Sequence, residues 1–326
     1  MKLNNAQLSF FINKIRLSPD NMPKYREQVK NLKERLEKKI KEDDRTGLKV
    51  TKYLLAGSWK KHTILRPTGD HPIDIDLVLF VEGDENIQND INKLHDFIVK
   101  YLEEIYPQKD ISRDVDAEGH TKSIKIKFSG TGLEVDIVPV VPIENPEDYV
   151  WQPQRGGGGT YITSIKKQLN FSLELRKNNP SYTSIVRALK WWRNYKELNP
   201  TNDEPGLSSF AIELIVAYLD ITKGIETDIE EALIRFFQFL STPDFPIIKF
   251  NGAINNIPDF LTPIFIADNT NNENNVAKKL TQTKWEEIIE EAEDAFDTLN
   301  IAQEKRNEGD TIYEWKHTFG PTFNIK

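Results

Sequence analysis

Apolar residues recur every three or four positions between residues 21 and 40. That spacing places them on one face of an α-helix, so a long amphipathic helix is predicted there. Asn21 is suited to cap its start, and Pro23 fits the first turn, where a missing amide proton is tolerated. The apolar face consists of Tyr25, Val29, Leu32, Leu36 and Ile40.

The following segments contain the short apolar runs that are typical of β-strands. Strands are predicted at residues 49–56, 73–82, 122–128 and 133–141, with a helix at 90–105 between them. The runs at 73–82 and 133–141 are apolar on both faces, which is typical of central strands covered on both sides. This order of elements predicts a mixed sheet with helices, an α+β fold.

After residue 160 the apolar pattern becomes that of helices. The predicted helices cover about residues 162–178, 181–197, 206–222, 227–240 and 282–304. The segment 241–280, with its prolines and asparagines, is predicted to be irregular. Between the two patterns, residues 142–159 contain prolines, acids and the run Gly156–Gly159, which predicts a flexible connector. The chain is therefore expected to have a sheet lobe at 1–159 and a helical lobe at 160–326.

Two carboxylates interrupt the apolar strand at 73–82. Asp74 and Asp76 are separated by one residue, so their side chains project from the same face of the strand. Like charges this close repel strongly in an apolar setting unless a cation lies between them, and carboxylate oxygens are the ligands of Mg²⁺ and similar hard cations. Asp136, inside the apolar strand at 133–141, is the candidate third ligand. Two alternatives stay open, a turn or solvated strand end and an ion pair with a nearby lysine or arginine.

Gly57 and Ser58 precede the acidic strand by a short basic connector, Lys60–Thr63. A glycine allows backbone amides to approach a phosphate closely, and the hydroxyl of a following serine can donate to it. Gly-Ser alone is also an ordinary turn signal. The pair is therefore a candidate phosphate contact whose meaning depends on the acids beside it.

The composition narrows the class of partner. Lys plus Arg number 43 against 51 for Asp plus Glu, giving a formal net charge of −8. Proteins that bind long nucleic acid are more often basic, because they neutralise phosphates, so small nucleotides are the better substrate class. The chain contains no cysteine, which excludes disulfides and thiol catalysis. The apolar stretch 8–12 is too short for a signal peptide, and without a run of about 18 apolar residues a cytoplasmic protein with no membrane span is expected.

Taken together, Gly57-Ser58, Asp74-x-Asp76 and the later Asp136 resemble the signature of the DNA polymerase β-like nucleotidyltransferase superfamily. Three later segments are similar to elements of its oligoadenylate synthetase and cyclic GMP-AMP synthase group. They are residues 187–192 (RALKWW), 207–214 (LSSFAIEL), and 263–268 (PIFIAD) with 274–277 (NNVA), where Asn269 stands in place of the usual proline. The chain most resembles the bacterial cGAS/DncV-like nucleotidyltransferases (CD-NTases) of CBASS anti-phage systems.

That resemblance implies a polymerase β-like palm followed by a helical lobe. It also implies an enzyme that joins nucleoside triphosphates into a cyclic di- or oligonucleotide messenger and releases pyrophosphate. Two Mg²⁺ ions, with Mn²⁺ as an alternative, would be held by Asp74, Asp76 and Asp136, and Asp136 would also be the candidate general base.

The resemblance further assigns nucleotide contacts. Gly57 and Ser58 would hold the donor phosphates, and Lys190 and Ser209 would neutralise or donate to them. Phe210 would offer a face for base stacking without choosing the base.

Two residue assignments depend on more than the resemblance. Helical spacing places Lys190 on the polar side of its helix with Arg187 and Asn194, so the residues alone predict an ordinary surface lysine. Ser208 adjoins Ser209, and the choice between them stays open.

The substrates implied are ATP, GTP or both, and an accessory protein of CBASS systems is a candidate partner. A downstream effector would bind the product rather than this protein. The main rival is a template-independent polymerase of the CCA-adding, poly(A) or oligoadenylate type, which would share the three aspartates. A second rival is a nucleotide-binding module without catalysis. Base choice, linkage and ring size are not determined by the residue pattern.

Overall fold

The computed structural model describes residues 1–69, 71–82, 91–113, 123–153, 160–201 and 204–326. The chain forms two compact units, residues 17–169 and residues 1–16 together with 170–326. The predicted lobes, 1–159 and 160–326, differ from these units in two places. Residues 1–16 belong with the later helices, and the boundary between the units lies at 169/170, inside a helix. The run Gly156–Gly159, predicted as a connector, lies outside the described residues.

The first unit, which we call the sheet unit, is built on a mixed sheet. The strands are β1 (Lys49–Leu55), β2 (Ile73–Glu82), β3 (Asp110–Arg113), β4 (Ile124–Phe128), β5 (Leu133–Pro142), β6 (Val150–Pro153) and β7 (Thr160–Thr163). Their order is β1-β2-β5-β4-β3, and β6 joins β5 to β7. Strands β2 and β5 run parallel and lie at the centre, as their apolar sequences predict, and the other pairs are antiparallel.

Both faces of this sheet are covered. The long helix Met22–Glu42 buries the predicted stripe from Tyr25 to Ile40, and with the helix Ile91–Ile105 it encloses the main core. A smaller cluster contains Val78, Val138 and Val140 together with Ile165. The central strands thus present apolar side chains to both layers, which makes any carboxylate along them an exception that needs a partner.

The second unit, which we call the helical unit, consists mainly of helices. In chain order we name its described helices α1 (Asn5–Ile15), α2 (Tyr182–Tyr195), α3 (Ser209–Lys223), α4 (Ile229–Leu240), α5 (Gln282–Glu304) and α6 (Glu308–Phe319). A further helix, Ile165–Asn178, begins in the sheet unit. Helix α1 packs on α2 and α4, and the ring of Phe11 contacts those of Trp191, Phe319 and Phe323. These ring contacts explain why the first residues belong to this unit.

The strongly periodic elements are where the sequence predicts them, and the shorter ones were missed. Helices α1 and α6 and the strands β3, β6 and β7 were not predicted. Strand β7 occupies part of a segment expected to be helical. Within the described ranges, none of the helices combines the length and apolarity needed to cross a lipid bilayer.

Residues 241–280 are mostly irregular, as predicted, with a short pairing of Ala267–Asp268 to Asn271–Asn275. The Asn275 side chain holds this segment together. Its Oδ1 accepts from the amides of Ile266 and Ala277 at 3.1 and 2.9 Å. Its Nδ2 donates to Thr262 Oγ1 and Ile264 O at 2.9 and 3.0 Å. Asn275 is therefore a structural brace.

Candidate active site

The register of the two central strands brings the three predicted aspartates together. In the parallel β2–β5 pair, Asp76 is level with Asp136, and Asp74 is level with Glu134. Residues that are level in neighbouring parallel strands project from the same face, and so do residues two apart on one strand. One face of the sheet therefore carries four carboxylates in two adjacent rows.

Asp74 is one of these carboxylates with a buried oxygen. Its Oδ1 is buried, and none of the described residues donates a hydrogen bond to it. Burial first, and then the carboxylates of Asp136 and Asp76, raise the pKa of the Asp74 carboxyl well above its ordinary value. The sheet thus holds a carboxyl group that is costly to ionise, because the positive charge of Lys125 offsets only part of these effects.

A lysine on the next strand partly compensates the cluster. Lys125 Nζ donates to Glu134 Oε2 at 2.9 Å and lies 3.8 Å from Asp136 Oδ1. Burial lowers the pKa of the Lys125 ammonium, but Asp136 and Glu134 raise it more, so its pKa lies above the ordinary value. The alternative of an ion pair is therefore realised for Asp136. It leaves the buried oxygen of Asp74 without a donor among the described residues.

Sequence reasoning missed Glu134 and Lys125, although the period of the strand contained a signal for Glu134. It lies two residues before Asp136, so the same alternation that pairs Asp74 with Asp76 puts it on the acidic face. Lys125 required knowledge of the pairing, since it faces Asp136 across the antiparallel β4–β5 pair.

Gly57 lies directly beside Asp76. Its φ of +56° is in the left-handed region that favours glycine, and a Cβ at this position would be 1.6 Å from Asp76 Oδ2. The amide of Ala56 donates to Asp76 O at 3.0 Å, which fixes the turn to the acidic strand. Ser58 follows in the short helical turn Gly57–Lys60. The structure therefore places the predicted Gly-Ser turn against the predicted metal ligand.

Among the described residues, no group of three or more His, Cys, Asp or Glu side chains is already arranged to bind a metal ion. The three aspartates share one face, but their oxygens do not already converge on a common point. A cation held by all three would require side-chain rotations, which are small changes for an aspartate on a fixed strand.

In the helical unit, Lys190 is not on a wet face. The prediction of a surface lysine is wrong, because the side chain is buried with 5% of its surface exposed. Helix α2 is buried on almost every side, and its enclosed positions include Ile185, Trp192 and Arg193. A stripe of apolar residues marks only one buried face, so it cannot reveal a helix that is enclosed all round.

The two adjacent serines have different environments. Ser208 is the N-cap of α3, and its Oγ accepts from the amide of Ala211 at 3.0 Å. Ser209 Oγ accepts from Arg193 Nη1 at 3.1 Å. Phe210 follows in the first turn and is half-buried. Ser208 therefore serves the helix, and Ser209 is paired with a cation that sequence reasoning did not single out.

The comparisons with known proteins agree with this arrangement. Residues 1–172, just over half the chain, match the Second Messenger Oligonucleotide or Dinucleotide Synthetase domain. The whole chain is 34% identical to the CBASS oligonucleotide cyclase CdnC of Escherichia coli strain KTE188, across 99% of that protein. The chain belongs to the CD-NTase family. The resemblance inferred from the Gly-Ser turn and the three aspartates is thus confirmed, and this CD-NTase is a nucleotidyltransferase.

Relatives of this CD-NTase with recorded activities or ligands are similar over nearly their full length. The cyclic AMP-AMP-AMP synthase of E. coli strain MS 115-1 is 29% identical over 93% of this chain and 94% of its own. A solved structure of E. coli MS115-1 CdnC with ATP has a TM-score of 0.80 and 27% identity, covering 99% of both chains. Vibrio cholerae DncV with a linear intermediate, at a TM-score of 0.71 and 14% identity, shows the fold alone. The predicted palm with a helical lobe is confirmed.

Proposed function

We propose that this CD-NTase joins nucleoside triphosphates, ATP among them, into a cyclic oligonucleotide for anti-phage signalling. The observation that carries the proposal is the β2–β5 register, which sets Asp74, Asp76 and Asp136 on one face beside the Gly57 turn. The relatives named as an oligonucleotide cyclase and a cyclic AMP-AMP-AMP synthase support cyclic products and an adenine nucleotide as substrate.

The residues present suit a hard divalent cation. The three aspartates offer carboxylate oxygens as metal ligands, and Mg²⁺ and Mn²⁺ prefer such ligands. Asp74 Oδ1 is also buried without a hydrogen-bond donor among the described residues. Asp74, Asp76 and Asp136 would hold the metal. When bound, two such ions supply charge neutralisation at the triphosphate and lower the pKa of the acceptor hydroxyl.

The chain's own residues supply the remaining parts of the transfer. The backbone at Gly57 can approach the donor phosphates because it has no Cβ, and the Ser58 hydroxyl can donate to them. Asp136 would accept the proton of the attacking ribose hydroxyl. Attack on the α-phosphorus forms the phosphodiester bond and releases pyrophosphate. In the helical unit, Lys190 and Ser209 would neutralise or donate to the triphosphate, and Phe210 would stack on a base.

Cyclisation requires the linear intermediate to react a second time. Its free hydroxyl would attack the α-phosphorus of its own remaining triphosphate, again releasing pyrophosphate. The same carboxylates would serve both rounds, so a variant that loses the first bond formation would lose ring closure as well.

An accessory protein is part of the proposal. E. coli MS115-1 CdnC has been solved in complex with HORMA-deltaN, and that CdnC chain superposes on this one with a TM-score of 0.77 at 27% identity. We propose that this CD-NTase also has a protein regulator, and that the cyclic product, rather than the enzyme, is bound by a downstream effector.

The test is a synthesis assay with the full chain. Labelled nucleoside triphosphates are supplied singly and in all combinations with Mg²⁺ or Mn²⁺, and products are treated with phosphatase before separation. Small labelled products that survive phosphatase are expected, with ATP sufficient for at least one of them. Ladders of long linear products would favour the template-independent polymerase. Triphosphate binding without bond formation under every condition would favour the non-catalytic module.

A further inference from the structure

Arg193 is a buried cation whose hydrogen bonds are all to neutral atoms. Its side chain is 7% exposed. Its guanidinium donates to Leu207 O at 3.0 Å, Ser209 Oγ at 3.1 Å, and Asn194 Oδ1 at 3.0 Å from Nε and 2.6 Å from Nη2. None of these partners is a carboxylate, and burial lowers the pKa of the guanidinium to about 10. A buried charge without a counter-ion is unfavourable and is normally paired.

The surroundings of Arg193 are closely packed. The amide of Leu198 donates to Arg193 O at 2.9 Å, and the amide of Leu207 donates to Leu198 O at 2.8 Å. A Cβ on Gly206 would lie 2.4 to 2.5 Å from backbone atoms of residues 198–200. The end of α2 and the start of α3 are thus joined by backbone hydrogen bonds, and the guanidinium is buried where they meet. Turning the Arg193 side chain toward a distant carboxylate would break its hydrogen bonds to Leu207 O and Ser209 Oγ.

The contact with Arg193 determines what the Ser209 hydroxyl can do. A hydroxyl has one proton to donate and lone pairs to accept with. Because Ser209 Oγ accepts from the guanidinium, its proton is directed away from Arg193 and toward another acceptor. A cationic donor on the oxygen also polarises the O–H bond and strengthens it as a donor. Ser209 stands in the first turn of α3, at the positive end of the helix dipole, where an anion is favoured.

We propose that Arg193 is a positioning residue that holds Ser209 as a donor to the substrate's triphosphate and supplies the positive charge behind that contact. The inference rests on the proposed role of Ser209 in triphosphate binding. Arg193 acts through Ser209 rather than by touching the phosphate. The substrate anion then supplies the negative charge that no hydrogen-bond partner of Arg193 provides among the described residues.

The test compares triphosphate and monophosphate binding in the full chain. Binding of a non-hydrolysable ATP analogue and of AMP is measured for the parent, Arg193→Gln, Ser209→Ala and the double variant, with thermal midpoints recorded for each. Removing either partner is expected to weaken triphosphate binding about tenfold, the value of one charge-assisted hydrogen bond, with AMP binding unchanged. The double variant should bind the triphosphate about as tightly as the more weakly binding of the two single variants, because both changes remove the same contact.

Two further variants separate positioning from folding. Arg193→Lys keeps the charge but not the fork that reaches both Leu207 and Ser209, so it should retain triphosphate binding better than Arg193→Gln. Arg235→Gln is the matched control, since Arg235 also binds a backbone carbonyl and is paired with Asp220 at 2.8 Å. It should lower the thermal midpoint and leave triphosphate binding unchanged.

The failures can be told apart. If Ser209→Ala binds the triphosphate as the parent does, the proposed role of Ser209 falls and the inference falls with it. A second result overturns only the inference about Arg193 and leaves the role of Ser209 intact. In it, Ser209→Ala weakens triphosphate binding, but Arg193→Gln leaves that binding unchanged, adds its effect to that of Ser209→Ala in the double variant, or weakens AMP binding equally. Arg193 would then be structural.

Discussion

The sheet unit and the helical unit differ in the sign of the charged side chains that they bury at the candidate site residues. On the central strands, four carboxylates share one face, Lys125 and Lys127 pair with Glu134 and Asp136 there, and Asp74 keeps a buried oxygen without a donor among the described residues. In the helical unit, the buried Arg193 bonds only to neutral oxygens, and Lys190 is buried as well. In the proposals above, the acidic face of the sheet unit would bind a cation, and Ser209 beside Arg193 would bind an anion.

This contrast follows from what the two kinds of element can support. On neighbouring parallel strands, residues that are level with each other and every second residue along each strand project from the same face. Acids at these positions therefore lie close together even though their charges repel. A helix that is buried on most sides can place a guanidinium beside carbonyl and hydroxyl oxygens of another segment, which accept its hydrogen bonds without neutralising its charge.

The largest expected effect comes from the acidic face. Asp76→Asn removes a charge at the proposed metal site with almost no change in volume, and the rate of pyrophosphate release should fall about a thousandfold or more. The thermal midpoint should stay near that of the parent. Asp110→Asn, an exposed change on β3 of the same sheet, is the control and should keep full activity. Undiminished activity in a folded Asp76→Asn protein would show that the acidic face of the sheet unit does not take part in catalysis.

The next effect tests the close approach of the glycine turn. Gly57→Ala places a Cβ where Asp76 Oδ2 now lies, 1.6 Å away, at a φ of +56°. The unfolding free energy should fall by about 1–2 kcal/mol from the backbone conformation. Activity should fall about a hundredfold, because Asp76 must turn aside. Gly130→Ala is the control, since no described heavy atom lies within 4 Å of its added Cβ. Equal activity in the two variants would contradict the role of the turn.

A smaller effect separates charge repulsion from catalysis. Because Asp74 is buried beside Asp136 and Asp76, Asp74→Asn should raise the thermal midpoint of the metal-free protein by several degrees. Mn²⁺ should raise the midpoint of the parent and have much less effect on the variant. Calorimetry with and without a chelator measures both. A metal-induced shift of the same size in the two proteins would show that Asp74 holds no ion.

The last effect is on stability alone and concerns a buried acid in the helical unit, Glu230, which accepts from the Leu3 amide at 2.5 Å. Burial raises the pKa of Glu230 to about 7. The folded state therefore holds this proton more tightly than the unfolded state, so the unfolding free energy falls as pH rises from about 4.5 to about 7. Glu230→Gln should cancel that decline, which is on the order of 3 kcal/mol at most.

Thermal midpoints at pH 5 and pH 8 test this prediction. The advantage of Glu230→Gln over the parent should be larger at pH 8. The matched control is Glu231→Gln, whose parent carboxylate is 41% exposed and paired with Lys2, and which should show no growing advantage. An advantage for Glu230→Gln that does not change with pH would mean that its carboxyl is already ionised at pH 5.

Regular periods made the centre of the sheet unit predictable. The residues of β2, including Asp74 and Asp76, were located from their sequence alone, because alternation on a strand needs no knowledge of its neighbours. Lys125 could not be found this way, since only the strand pairing puts it beside Asp136. The exposure of Lys190 was predicted wrongly, because reading helical periodicity assumes that one side of the helix faces solvent. Arg193 lacked a sequence signal, since its environment comes from Leu207 and Ser209 on a later segment.

The membership of residues 1–16 in the helical unit has a consequence for how the protein is made. Residues 17–169 are contiguous and can form their core while synthesis continues, since domains generally fold as units during translation. Helix α1 must wait, because the Phe319 and Phe323 rings that contact Phe11 are synthesised long after it. Its apolar side chains lack these partners until that later segment has been made. The helical unit therefore completes its core after the sheet unit can complete its own.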